Sequence, residues 1–403
     1  MHFDKKAVTF STCLLDTAPP SGTLRCVMAK KRWIVPWTGS PDHPAVYHCI
    51  SRVVEKRFAF GPDEKEKFRS LMRMYEKFSG NRVLSYCLMS NHLHLLLEVT
   101  PRPAGGLSDE ELLRRVRAIS SPAAVAVLAK ELHEARAAVA EGRARESYVA
   151  AIHARYTYRM HDLSEFMKAL LIRFTRWFNR KHERCGTLWE ERFKSVLVES
   201  GIAARTMAAY IDLNPVRAGI AKDPADYRWS SYGEAVGGGP RGNGKKAREG
   251  LVRACMAHEG AGFDATRWPE VSRIYRWIMG MALGKRRGNA GVLPAEVGAS
   301  GTSGAPGARR RGGQVTKNTA EMLASKDNET VLPDLGFAEM LCKRVRYFTD
   351  GAVIGSKGFV NEVFVSSRER FTAGRKDGAR RLRGAGKAAA GVLWSVRNLR
   401  VRI

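Results

Sequence analysis

Two histidines one residue apart, His92 and His94, interrupt the otherwise apolar run "YCLMSNHLHLLLEV" at residues 86–99. Imidazole nitrogens are common ligands for divalent cations, and two on the same strand face can converge on one ion. Ten histidines in 403 residues would produce about 0.25 such pairs by chance, so the spacing needs support from elsewhere. Support comes from "YIDLNPVRAG", residues 210–219. There Tyr210 and Asn214 are four residues apart, on one face of a helix expected to end where Pro215 forbids continuation. They place a phenol beside an amide oxygen. Taken singly, each residue also has a plain structural reading: solvent-facing histidines, a core tyrosine, a C-terminal cap.

The elements that must position these groups are legible from periodicity. "AVYHCISRVV" (45–54) reads as a strand, and "DEKEKFRSLMRMYEKFSG" (63–80) as a helix with Phe68, Leu71, Met72, Tyr75 and Phe78 on one stripe. Residues 82–88 and 92–99 flank "MSN" and form an expected antiparallel hairpin. A charged, alanine-rich stretch at about 101–160, opening with Ser108 and Glu111 in capping-box spacing, reads as a helical insertion. A second amphipathic helix (162–182), a strand-like segment (187–200) and the Tyr210 helix (204–213) follow. The order β-α-β-β-insertion-α-β is the split βαβ, or ferredoxin-like, arrangement of an α+β protein. On its third strand, Leu93, Leu95, Leu97 and Val99 point to the helices. His92, His94, Leu96 and Glu98 point to the other face, expected to be uncovered.

Composition narrows the partners. A formal charge of +28 and 44% apolar residues describe a folded protein that attracts polyanions, nucleic acid first among them. No apolar stretch approaches the ~20 residues that span a bilayer, so no membrane partner is expected. Seven scattered cysteines without C-x-x-C spacing argue against a zinc or disulfide framework and fit a reducing cytoplasm. Beyond residue 237 the chain reads as a helical extension (238–283), a flexible basic linker (284–317) and a small basic C-terminal region (318–403), whose residues 368–402 carry eleven Lys/Arg against two Asp/Glu. Within that region "GSKGFVNEVF" could start a DNA-reading helix.

In combination these stretches resemble the single-tyrosine HUH transposases, meaning insertion-sequence-200-like transposases and especially REP-associated tyrosine transposases. The matching motifs run in the family's order from "MAKKRW" through "YHCISR", "MSNHLHLLLEV", "FTRWFNRKHERCGTLWEERFKSVLVES" and "YIDLNPVRAG" to "DYRWSSY", roughly residues 28–237. The resemblance implies that His92 and His94 bind Mg²⁺ or Mn²⁺, that Asn214 holds the third-ligand position, and that Tyr210 attacks DNA. It further implies a 5′-phosphotyrosine product, a substrate of single-stranded DNA with hairpin structure, and either a monomer or a homodimer. Residues 1–27 lie outside it, so Met28 is an expected alternative start. The insertion is longer than in compact members, and the tail after 237 has no counterpart in them.

For phosphate contacts, Arg192 and Lys194, on one strand face with Glu190, come first, followed by Arg52 and His48 on the first strand. Phe174, Trp177 and Phe178 read either as base-stacking platforms or as a helical core stripe. Two rival functions share the pattern: a non-catalytic binder of DNA hairpins descended from a transposase, and a replication-initiator or relaxase-type HUH nuclease. The absence of a helicase P-loop motif favours the transposase reading.

Overall fold

The first strand among the described residues, β1 (Ala45–Arg52), is an interior strand of the sheet that carries the histidine pair. The computed structural model describes residues 44–237, 244–256, 265–286, 341, 345–382 and 393–397. The expected leader, "MAKKRW" and most of the expected linker lie outside them.

After β1, helix α1 (Pro62–Ser79) starts on Pro62, with Glu64 Oε2 accepting from the Gly61 N–H at 2.9 Å. It ends at Gly80, whose φ of 75° is the left-handed conformation of a glycine cap. Strands β2 (Arg82–Leu88) and β3 (His92–Val99) form the expected hairpin. An insertion of three helices follows: α2 (Asp109–Val116), α3 (Pro122–Ala140) and α4 (Glu146–Thr157). Ser108 caps α2 by accepting from the Glu111 N–H at 3.2 Å. The Glu111 carboxylate turns instead to Arg114 and Arg115, so only half of the expected capping box forms. Helix α5 (Leu163–Lys181) and strand β4 (Lys194–Val198) complete the βαββαβ pattern.

The strands order as β2-β3-β1-β4, antiparallel throughout, which is the ferredoxin-like arrangement. Helices α1 and α5 cover one face, where Leu93, Leu95, Leu97 and Val99 join Phe68, Met72, Phe174 and Phe178 in one core. Phe174 and Phe178 are buried and packed edge-on against Phe60, which settles those two as core rather than base-stacking groups. Strand β4 is shorter than the sequence suggests. Residues 189–193 only run in towards it, touching β1's end through the Glu190 N–H to Arg52 carbonyl bond.

The histidine face is covered, contrary to expectation. Helix α6 (Ile202–Asp212), a one-turn helix α7 (Asn214–Arg217), α8 (Ser231–Gly237), α9 (Gly244–Met256) and α10 (Trp268–Arg286) pack there. Leu96 is fully enclosed among them, and Glu98 accepts from Nε and Nη2 of Arg253 on α9 at 3.0 and 2.8 Å. Alternation along β3 correctly separated the two faces. It could not show that the extension after residue 237 supplies a second apolar layer.

The C-terminal segment also joins this sheet. Helix α11 (Arg346–Asp350) leads into β5 (Val353–Gly355), which pairs parallel with β4; α12 (Lys357–Ser366), β6 (Arg380–Arg381) and β7 (Trp394–Ser395) follow, so that among the described residues the sheet has seven strands in the order β2-β3-β1-β4-β5-β7-β6. Val353, Ile354, Val360 and Val363 are all fully enclosed. At about 1.5–3 kcal/mol per buried side chain, such burial makes this segment core rather than a solvated tail. "GSKGFVNEVF" therefore does form a helix, α12, but one that turns Val360, Val363 and Phe364 inward. No helix among the described residues is long and apolar enough to cross a membrane.

The insertion is fastened to the sheet at Gly80. His161, directly after the insertion, bonds through Nδ1 to the Thr100 carbonyl at 3.1 Å, while its Nε2 takes the Arg115 guanidinium at 3.0 Å. Burial first, then Arg115, pushes the His161 imidazole down to about 4, with the Thr100 carbonyl opposing. The unfolded chain takes up this proton near pH 6.5 and the folded one only near 4, so the latch stabilises fully above 6.5 and weakens as pH falls towards 4. The thermal midpoint of the wild type is expected to drop more between pH 6.5 and 4 than that of His161→Gln. Parallel curves would contradict this role.

Candidate active site

Strand β3 and helix α6 meet over one cleft of about 450 Å³, lined by His92, His94, Tyr210 and Asn214 together with Arg52, Arg192 and Lys194. All but one of the residues read from the sequence as nucleophile, metal ligand or phosphate contact therefore share a single concavity. The exception is His48.

His92 and His94 point to the same side of β3, their rings edge-to-face with centroids 5.1 Å apart. His92 is half-buried, and its Nδ1 bonds the Asn91 side-chain oxygen at 2.6 Å, which leaves Nε2 as its basic nitrogen. His94 is buried, with Nδ1 bonded to His48 Nε2 at 2.9 Å. Burial holds His94 well below the ordinary imidazole value, and the neighbouring His92 and His48 push the same way. Neutral imidazole is the ligating form, so burial prepares His94 for a cation.

His48 is enclosed completely. It stacks on His94 at 5.1 Å, and its Nδ1 faces the Phe348 carbonyl at 2.7 Å. Burial lowers it to about 4 against the raising influence of that carbonyl, with Arg217 lowering it further. The expectation that His48 contacts DNA is corrected: no surface is left for a phosphate to reach.

Tyr210 and Asn214 show why the α6–α7 junction matters. Pro215 has no N–H to give the Ile211 carbonyl four residues back; the Asn214 amide Nδ2 supplies one at 3.0 Å and approaches the Tyr210 carbonyl at 3.4 Å. The cap reading and the site reading of Asn214 hold together, because capping uses Nδ2 and leaves Oδ1, the atom a cation would take. The chain does not stop at Pro215 but continues for one turn as α7.

Tyr210 is only 2% exposed. Its hydroxyl bonds to no described residue and is not among the sealed polar atoms, so the phenol oxygen is the part left open to the cleft. The ring is gripped by Phe348, edge-on at 4.8 Å, and by the Arg217 guanidinium 3.9 Å from its centroid. Arg217 also bonds the Tyr210 carbonyl at 2.6 Å. It was missed at the sequence level, although positions 210, 214 and 217 follow the four-then-three step of one helix face. Thr349 and Asp350, which also line the cleft, come from α11 and carried no signal near the motifs.

Around the mouth, Lys194 is tied to Glu191 at 3.0 Å and approaches Asp350 at 3.8 Å, while the exposed Arg192 is in no ion pair with a described residue. Arg192 is thus the readier phosphate contact. Arg192→Ala is expected to weaken single-stranded DNA binding about equally for all sequences and to lower the slope of log K against log salt by about 0.7. A titration series showing an unchanged slope would remove it from the interface.

Among the described residues no three His, Cys, Asp or Glu cluster as a metal site. A cation in the cleft would therefore have two imidazole nitrogens and one amide oxygen, with water and substrate oxygens completing its shell. That donor set fits an open Mg²⁺ or Mn²⁺ site and falls short of the four protein ligands of a structural zinc.

Comparison with known proteins bears on this segment. The family model "Transposase IS200 like" matches residues 43–108, which hold β1, α1, the hairpin and both cleft histidines. No curated protein matches the chain. A solved structure of a REP-associated tyrosine transposase bound to a REP hairpin is similar at 12% identity and a TM-score of 0.32, covering 52% of this chain and 86% of that one. At that score the likeness adds nothing to the strand order, which establishes the fold unaided. The likeness to IS200-like transposases thus rests on residues 43–108, the stretch that carries the histidine pair.

Proposed function

We propose that the protein nicks and rejoins single-stranded DNA at hairpin structures through Tyr210, with Mg²⁺ or Mn²⁺ held by His92, His94 and Asn214. The observation that carries this reading is the convergence of the β3 histidines and the α6–α7 tyrosine and asparagine on one cleft that Arg52, Arg192 and Lys194 also line. The hairpin substrate follows from the motif resemblance across residues 28–237.

The phenol oxygen of Tyr210 attacks the scissile phosphorus. The P–O3′ bond breaks, and the proton lost by the phenol ends on the leaving 3′-oxygen. The products are a 5′-phosphotyrosine and a free 3′-OH, with no water consumed. A bound divalent cation supplies charge neutralisation at the phosphate, whose negative charge otherwise repels the nucleophile. A free phenol is only about one part in a thousand ionised at neutral pH, so the site must assist it. Arg217 keeps a fixed positive charge against the ring, and Phe348 holds the ring edge-on so that the hydroxyl cannot swing from the cleft. Because the ester keeps the phosphodiester energy, a second DNA 3′-OH can reverse the step and join a new partner without ATP.

The test is incubation of the full chain with labelled single-stranded hairpins taken from the flanks of its own gene, with Mg²⁺, Mn²⁺ or EDTA. Cleavage that appears with either metal and disappears with EDTA is expected. Tight hairpin binding without cleavage under every metal would replace this reading with a non-catalytic DNA binder.

A further inference from the structure

We propose that His48 is a positioning residue for His94, and that the backbone carbonyl of Phe348, on the C-terminal segment, fixes the proton of both rings. This rests on the reading of His94 as a metal ligand. The chain of bonds runs from the Phe348 carbonyl to His48 Nδ1 at 2.7 Å and from His48 Nε2 to His94 Nδ1 at 2.9 Å, all of it buried.

A carbonyl oxygen can only accept, so the hydrogen of neutral His48 must lie on Nδ1. Its Nε2 is then a lone pair, and the His94 nitrogen facing it must be the donor. His94 accordingly carries its hydrogen on Nδ1 and keeps its Nε2 lone pair for the cleft. A backbone carbonyl 300 residues away in sequence thus determines which nitrogen of His94 is available to a cation. Ligating histidines are commonly oriented by such an outer partner; here the partner is a second histidine, locked in turn by the C-terminal segment. The same residue's ring packs on Tyr210, so one turn of α11 organises both halves of the site. On this account the C-terminal segment completes the active site rather than adding only affinity for DNA.

The experiment uses the full chain without metal and reads the ring nitrogens of His94 by ¹⁵N NMR. The expected spectrum has a protonated Nδ1 and a bare Nε2; a hydrogen on Nε2 in the wild type overturns the proposal. His48→Leu is expected to leave His94 a mixture of tautomers and to weaken Mn²⁺ binding, read by electron paramagnetic resonance, by about 10- to 100-fold. A glutamine amide has a donor and an acceptor spaced much as the two ring nitrogens are, so His48→Gln is expected to restore both the spectrum and the affinity to within about threefold. A His48→Leu chain with wild-type His94 signals and Mn²⁺ affinity also overturns it. The tautomer is read before metal or DNA is added, so a wild type that binds no Mn²⁺ would count against the proposed function while the spectrum still decides this inference.

Discussion

Tyr210→Phe is expected to abolish the covalent protein–DNA adduct and to reduce strand cleavage by at least about 10³-fold, because the substitution removes the only atom assigned to form the new bond. The fold should survive it. The Tyr210 ring carries the packing against Phe348 and Arg217, and its hydroxyl bonds to no described residue. Thermal melts should therefore overlay with the wild type, and hairpin affinity should stay within about threefold. A variant that still formed adduct would show that another nucleophile acts.

His94→Ala carries the second large effect. It removes one of the two imidazoles and also leaves His48 Nε2 without its partner in a sealed environment. Cleavage is expected to fall by about 10²- to 10³-fold at low Mn²⁺, with partial recovery as Mn²⁺ is raised, since affinity rather than geometry alone is lost. The unpartnered buried nitrogen adds a stability cost of about 1–3 kcal/mol, measurable by urea denaturation. His92→Ala separates the two contributions: His92 is half-buried at the mouth, so the same loss of metal dependence should come with little change in stability. Equal destabilisation by both would contradict the buried relay.

Much of this site was legible in the sequence because its parts lie on regular elements. Alternation on β3 put both histidines on one face, and helical spacing put Tyr210 and Asn214 together. The ferredoxin-like strand order followed from the succession of elements, since each strand and helix carried its own period. Local patterns could not reveal contacts closed by distant chain. His48 sits in an ordinary strand run, and nothing in its neighbourhood announces that Phe348 will seal it. The covered histidine face was missed for the same reason: the apolar sides of α9 and α10 are visible in the sequence, but not the sheet face they choose. Arg217 alone was within reach, one helical turn past Asn214 in a motif already singled out.

The central claim is most directly tested by trapping the adduct on a labelled hairpin, digesting it with protease and nuclease, and sequencing the modified peptide by mass spectrometry. The account predicts a 5′-phosphate ester on the peptide that contains Tyr210, with a free 3′-OH on the released strand. A link through another residue, such as Tyr227 or Tyr232, or a 3′-phosphate ester at Tyr210, would contradict it.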